Sequence, residues 1–284
     1  GLIDASDGAT TSFDDWYGAS SAGDVVLVAL GTTTGASYSD TVLQVSIATN
    51  GQDSDFGNLI ESKAQTGSAS SSTRGLFHSG YGSGIAGGRS KAIDYFTIAS
   101  AGNGTDFGDV SQTNNNGGGA SNNTRAIFKI GYSSTTQLNN ILEYVTIANT
   151  GNSTDFGDRT IATYSVGSTS NTTRACFSGG DASTGNVDVI DYVTIANTGN
   201  ATDFGNLTTV RSNQNKGNVS TGTYGFFTGG NYTGVDATQH VDYITIASTG
   251  NAGDFGELNR EIKSGFQAGN KVKGLAGAGL QHSN

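Results

Sequence analysis

The chain has 284 residues, of which 34% are hydrophobic and only 13% charged, with 44 Gly, no Pro and no Met. Its formal net charge is −10, and its 14 Lys and Arg form no run, which argues against nucleic acid and anionic membrane as partners, because phosphate binding needs clustered positive charge. Disorder usually combines low hydrophobicity with high charge and few aromatics; the 11 Tyr and 13 Phe here instead point to many short strands joined by Gly-rich turns.

Two elements alternate along the chain. The first opens it as Leu2-Ile3-Asp4-Ala5 followed by Ser12-Phe13-Asp14-Asp15-Trp16. It returns as Val42 to Ala48 leading to Asp55-Phe56-Gly57, and as Ile93 to Ala99 leading to Asp106-Phe107-Gly108. Three more copies are Leu142 to Ala148 with Asp155-Phe156-Gly157, Ile190 to Ala196 with Asp203-Phe204-Gly205, and Val241 to Ala247 with Asp254-Phe255-Gly256. Between them lies a short run ending in Gly: Val25 to Gly31, Arg74 to Gly80, Arg125 to Gly131, Arg174 to Gly180, Tyr224 to Gly230 and Lys273 to Gly279.

Each unit reads as four strands. A weakly apolar strand follows Asp-Phe-Gly, as in Lys263 to Ala268; the Gly-terminated run is the second; the β-branched and aromatic run is the third. A turn such as Thr198-Gly199-Asn200 then leads into the fourth, which carries Asp-Phe-Gly. Four strands repeating every 40–50 residues or so is the pattern of propeller blades, and helix signals are absent. The expectation is one all-β domain, a six-bladed propeller of four-stranded blades. Its closing blade combines 2–16 with 261–280, and the others span about 17–59, 60–110, 111–159, 160–208 and 209–260. Such a closure hides two sheet edges. The recurring Phe13, Phe56, Phe107, Phe156, Phe204 and Phe255 are expected to bury blade-on-blade interfaces.

The pattern resembles kelch-type propellers. Gly179-Gly180 and Gly229-Gly230 keep the kelch doublet, Gly80-Tyr81 and Gly131-Tyr132 keep a Gly-Tyr version, and Phe replaces the kelch Trp, with Trp16 near it in the split copy. The wording Asp191-Tyr-Val-Thr-Ile-Ala-Asn-Thr-Gly-Asn-Ala-Thr-Asp-Phe-Gly205 is similar to repeats in structural proteins of marine bacteriophages, including those infecting cyanobacteria. That resemblance implies an extracellular place on the virion surface, as a tail-fibre or decoration protein assembled with other virion proteins.

Catalysis is poorly supported. His78, His240 and His282 fall in different units and make no metal-ligand spacing. No nucleophile-elbow sequence is present, and Thr-Asp-Phe-Gly does not match the sialidase Asp-box. Cys176 is alone, so it forms no disulfide within the chain and is read as a small buried hydrophobe. The repeated Asp of Asp-Phe-Gly suits a turn carboxylate better than a Ca²⁺ ligand. Arg74, Arg125 and Arg174 are expected to form ion pairs with the strand-three acids Asp94, Glu143, Asp191 and Asp242. The sequons at Asn152 and Asn171 follow from composition. No apolar run approaches the ~18 residues of a membrane span, and no cofactor is expected. With no Met, the sequence is read as processed, trimmed or incomplete at Gly1.

The loops between strands two and three vary most among the units. Those at about 32–40, 81–91, 132–140, 181–188 and 231–240 carry Tyr38, Tyr81, Tyr132, Asp181, Asn231, Tyr232 and Asp236. Tyr rings beside amides and carboxylates can hold a sugar by stacking and hydrogen bonds; alternatively these Tyr brace the hairpin, as in kelch blades. The expected function is non-enzymatic attachment to a host surface glycan or receptor through these loops. A purely structural virion protein without ligand is the alternative, and a glycan-cleaving propeller enzyme a third reading.

Overall fold

The computed structural model describes residues 15–22, 24–33, 37–47 and 53–277. All regular structure among them is strand, and no helix is long and apolar enough to cross a membrane. Blade one is the antiparallel sheet Asp15–Ala22, Val25–Thr33, Thr41–Ser46 and Ser54–Asn58, with Ser37–Tyr38 paired beside its second strand. Blade two is Gly67–Ser70, Arg74–His78, Ala92–Thr97 and Thr105–Asp109. Blade three is Gly118–Ser121, Arg125–Lys129, Ile141–Thr146 and Thr154–Asp158. Blade four is Gly167–Ser170, Arg174–Ser178, Val189–Thr194 and Thr202–Asn206. Blade five is Val219–Ser220, Tyr224–Thr228, Thr238–Thr245 and Gly253–Ile262. A two-stranded sheet, Phe266–Gly269 with Gly274–Gly277, follows.

The first strands of these sheets touch one another in cyclic order, from blade one through blade five to Phe266–Gly269 and back to Asp15–Ala22. The sheets therefore stand around an axis in a propeller arrangement. The described residues form five four-stranded blades, not the six expected; the two-stranded sheet occupies the remaining place in the ring. The segment expected to complete it, Leu2 to Trp16, lies outside the described residues except for Asp15 and Trp16. Those two pair with Thr32 and Leu30 of blade one rather than with the last sheet. Glu261, assigned to the closing blade, extends the outer strand of blade five.

No single core fills the disc. Hydrophobic clusters lie in the seams between neighbouring sheets, so stability is a sum over interfaces. Phe56 and Leu59 of blade one pack with Phe77, Phe96 and Ile98 of blade two. Blade one also shares Val26, Val28 and Ile47 with Phe266, Ala268 and Leu275 of the last sheet.

The Asp-Phe-Gly motif is a β-bulge. In all five blades two adjacent strand-three residues pair with the Gly and the Asp, as in Ile93 with Gly108 and Asp94 with Asp106, which leaves the Phe unpaired. The extra residue turns its ring into the next seam. Phe56, Phe107, Phe156 and Phe204 are buried there. The Gly admits the next blade's Thr-Gly-Asn-type turn: a Cβ on Gly205 would lie 2.4 Å from the Gly250 carbonyl oxygen, and Gly250 N donates to the Phe204 carbonyl at 2.7 Å. Phe255 departs from the pattern. It is 64% exposed rather than buried, and a Cβ on Gly256 would meet nothing within 4 Å. The equivalent third strand and turn, which cover the Phe in other blades, are not among the described residues of the last sheet. Phe13 lies outside the described residues.

The expected pairs between Arg74, Arg125 or Arg174 and the strand-three acids do not form. Arg74 stands opposite Thr97, and Asp94 is three residues from Thr97, so the two side chains leave opposite faces of the sheet. Tyr95, two residues from Thr97, shares the Arg74 face and receives its guanidinium 4.6 Å from the ring centre. Arg125 over Tyr144 and Arg174 over Tyr192 repeat this contact. Each Arg then crosses a seam: Arg74, Arg125 and Arg174 donate to the carbonyls of Ile147, Ile195 and Ile246 in the following blades. Lys273 of the last sheet likewise donates to the Ile47 carbonyl of blade one, at 3.4 Å.

Candidate functional site

The strand-two glycines build the candidate face. A Cβ on Gly80, Gly131, Gly180 or Gly230 would lie within 2.8 Å of a carbonyl oxygen, from Ala64, Asn115, Tyr164 or Ser212 respectively. The chain can therefore fold closely over the segment that leads into its own inner strand. The next residue is fixed by a two-way backbone bridge: Tyr81 to Ala64, Tyr132 to Asn115, Asp181 to Tyr164 and Asn231 to Ser212. Four of the seven candidate residues thus occupy one position in four successive blades, held on a rigid frame.

Their side chains meet across the seams. The rings of Tyr38 and Tyr81 sit edge to face with centres 5.7 Å apart. Arg89, from the blade-two loop, lies 5.7 Å from the Tyr81 ring centre and 5.0 Å from that of Tyr132. Tyr132 in turn packs on Tyr164 at 5.3 Å, and the Tyr164 hydroxyl donates to Asp181 at 2.8 Å. Burial, and then that bond to Asp181, push the Tyr164 hydroxyl up to about 12, so it remains a donor. These side chains form one half-buried belt from blade one to blade four.

The remaining candidates form a second, polar group. Asn231 Oδ1 accepts from Ser212 Oγ at 3.0 Å and Asn213 Nδ2 at 3.1 Å, and its carbonyl accepts from Asn186 Nδ2 of blade four at 2.9 Å. Tyr232 closes a tight turn with Val235 through backbone bonds. Asp236 pairs with Lys263. Reasoning from the sequence did not single out Arg89, Tyr164, Asn186 or Lys263. Arg89 lay within a flagged loop, whereas Tyr164 lies in a segment whose approach to Asp181 depends on the tertiary bridge.

Beneath the face, acids and cations are locked together. Asp94 pairs with Lys63 at 2.6 Å, Asp191 with Arg159 at 2.8 Å and Asp242 with Arg211 at 2.9 Å, all buried. Glu143 accepts from Ser111 N at 3.0 Å and is engaged by the Ser111 and Ser153 hydroxyls. Each acid also takes a backbone N–H from the segment following the previous blade's outer strand, as Asp94 does from Ile60 at 2.7 Å. Burial pushes the Asp94 carboxyl up, against the pull of Lys63.

His78 is fully buried against Phe128, with Nε2 3.2 Å from the Gly118 carbonyl oxygen and Nδ1 2.9 Å from Ser79 Oγ. Burial lowers its pKa to about 3, so the ring is neutral. His240 sits in the third strand of blade five, and His282 lies outside the described residues. Cys176 is buried, and burial pushes its thiol up to about 12. Asp106 and Asp254 accept the N–H of the Gly two residues on, at 3.1 and 2.9 Å. Among the described residues no group of three or more His, Cys, Asp or Glu is placed to hold a metal ion.

No protein-family model matches the chain, and no curated protein does. The solved structure of YjhT does match, with a TM-score of 0.71 over 93% of this chain and 90% of its own, at 10% sequence identity. At that identity the likeness shows the fold alone: a β-propeller. The same fold serves many activities, so function must be argued from the face itself.

Proposed function

We propose that the chain is a non-enzymatic attachment module on a phage virion, and that the Tyr38–Tyr81–Tyr132–Asp181 belt binds a host surface glycan. The observation that carries this reading is the placement of aromatic and polar side chains at one bridged position in successive blades, on loops fixed by a rigid scaffold. Tyr supplies stacking area together with a polar tip at low entropic cost. The resemblance to marine phage repeats supplies the virion setting, with other virion proteins as partners. The buried acids support a role without catalysis, because they are engaged one by one rather than paired around a reacting bond as glycoside cleavage requires.

The disc is read as six-bladed and kelch-like, with the N-terminal segment adding strands three and four to Phe266–Gly269 and Gly274–Gly277. Exposed Phe255 and the open space at Gly256 support this, since both mark the seat that a third strand and its turn fill in other seams.

Binding of the purified chain to arrayed host-envelope polysaccharides tests the glycan reading. Retention by one polysaccharide and its loss on Tyr81→Ala and Tyr132→Ala are expected. Unchanged binding in both variants rejects this face. Absence of any glycan binding leaves the alternative of a purely structural virion element, which predicts extensive contacts with neighbouring subunits in the particle.

A further inference from the structure

Arg89 differs from the cations engaged elsewhere in the ring. Arg74, Arg125 and Arg174 are committed to carbonyl oxygens, and Lys63, Arg159 and Arg211 to buried carboxylates. Among the described residues Arg89 makes one hydrogen bond, from Nε to Asn115 Oδ1 at 2.7 Å. That bond fixes the guanidinium between the rings of Tyr81 and Tyr132, in the seam between blades two and three. Among the described residues no carboxylate comes within ion-pair distance of it, and its two Nη groups donate to nothing. The side chain is only half-buried, so these donors sit at the candidate face with both flanking rings. The loop is shaped to this arrangement: Gly87 and Gly88 have φ of +74 and +78, and a Cβ on Gly88 would lie 2.8 Å from the Tyr81 ring.

A planar guanidinium with free donors recognises a carboxylate or sulfate through two parallel hydrogen bonds, and placement on aromatic faces orients it for this. We infer that Arg89 reads the anionic group of a short acidic saccharide whose sugar ring stacks on Tyr81 or Tyr132. This rests on the glycan-binding reading of the same face and names the class of glycan. The net charge of −10 disfavours a long polyanion, which limits the ligand to an isolated acidic unit within reach of Arg89.

The test is isothermal titration of the whole chain with three probes: a neutral galactan tetrasaccharide, tetragalacturonate, and a sulfated galactan tetrasaccharide. At least one acidic probe is expected to bind ten-fold or more tightly than the neutral one, and comparison of the two acidic probes separates carboxylate from sulfate recognition. Arg89→Gln should abolish that preference, so that acidic and neutral probes bind the variant within two-fold of each other. Arg89→Lys, which keeps the charge without the planar fork, should retain only part of it and serves as the second variant if Arg89→Gln melts early. Equal binding of neutral and acidic probes by the unaltered chain overturns the inference, as does a preference that survives both substitutions; in either case the glycan reading stands. If no probe binds and the polysaccharide array is also blank, both fail together.

Discussion

Arg159 and Asp191 form a fully buried pair across the seam between blades three and four, with Arg159 Nε 2.8 Å from one carboxylate oxygen and 3.1 Å from the other. Thr160 adds its N–H and hydroxyl to the same carboxylate, at 3.0 and 2.9 Å. Removing one member strands the other in a dry seam, which costs about 3–5 kcal/mol, whereas replacing both with apolar groups often costs little. Arg159→Met alone is expected to lower stability by that amount in urea unfolding, and adding Asp191→Leu should recover most of it.

The bulged Phe and its Gly should behave as one joint. Phe204 is buried with Ile244 and Ile246 of blade five, so Phe204→Ala is expected to cost about 3–5 kcal/mol. Gly205→Ala places a Cβ against the Gly250 backbone and should lower the melting temperature comparably. Thr202→Ala, on the exposed start of the same strand, should change stability by only about 0.5 kcal/mol or less.

Acid stability should depend on His78. Its folded pKa of about 3 lies below the unfolded value of 6.5, so the unfolded chain binds the extra proton between these limits. The contribution is fully present above pH 6.5 and is lost as pH falls towards 3, by up to about 1.4 kcal/mol per pH unit. His78→Thr, which installs the residue that blade five has at the equivalent Thr228, should be less stable than the unaltered chain at pH 7. The gap should close or reverse by pH 4 in chemical unfolding curves.

Much of the architecture was legible because the repeat is carried by local chemistry. β-branched third strands, Gly-terminated second strands and the Thr-Gly-Asn turns each declare themselves in the sequence. The bulge at Asp-Phe-Gly was not legible, since it is defined by which residues of the neighbouring strand the Asp and Gly oppose. The partners of Arg74 and Asp94 were misassigned for a related reason: hairpin register puts them on opposite faces, and their true partners are Ile147, from the next repeat, and Lys63, from the segment that leads into the inner strand of the same unit. At the candidate face, Tyr81 and Tyr132 could be picked out from loop position, but the cation between them could not, because the Arg89 contact arises only when two blades are set side by side.

Removal of residues 1–14 tests most directly whether the two ends of the chain finish one sheet, read by thermal unfolding and then by addition of the same segment as a peptide. Closure predicts a loss of several degrees or more in melting temperature, recovered by the peptide, and a matching loss in the intact chain on Phe255→Ala. An unchanged melting temperature on deletion, with Phe255→Ala equally silent, would contradict it.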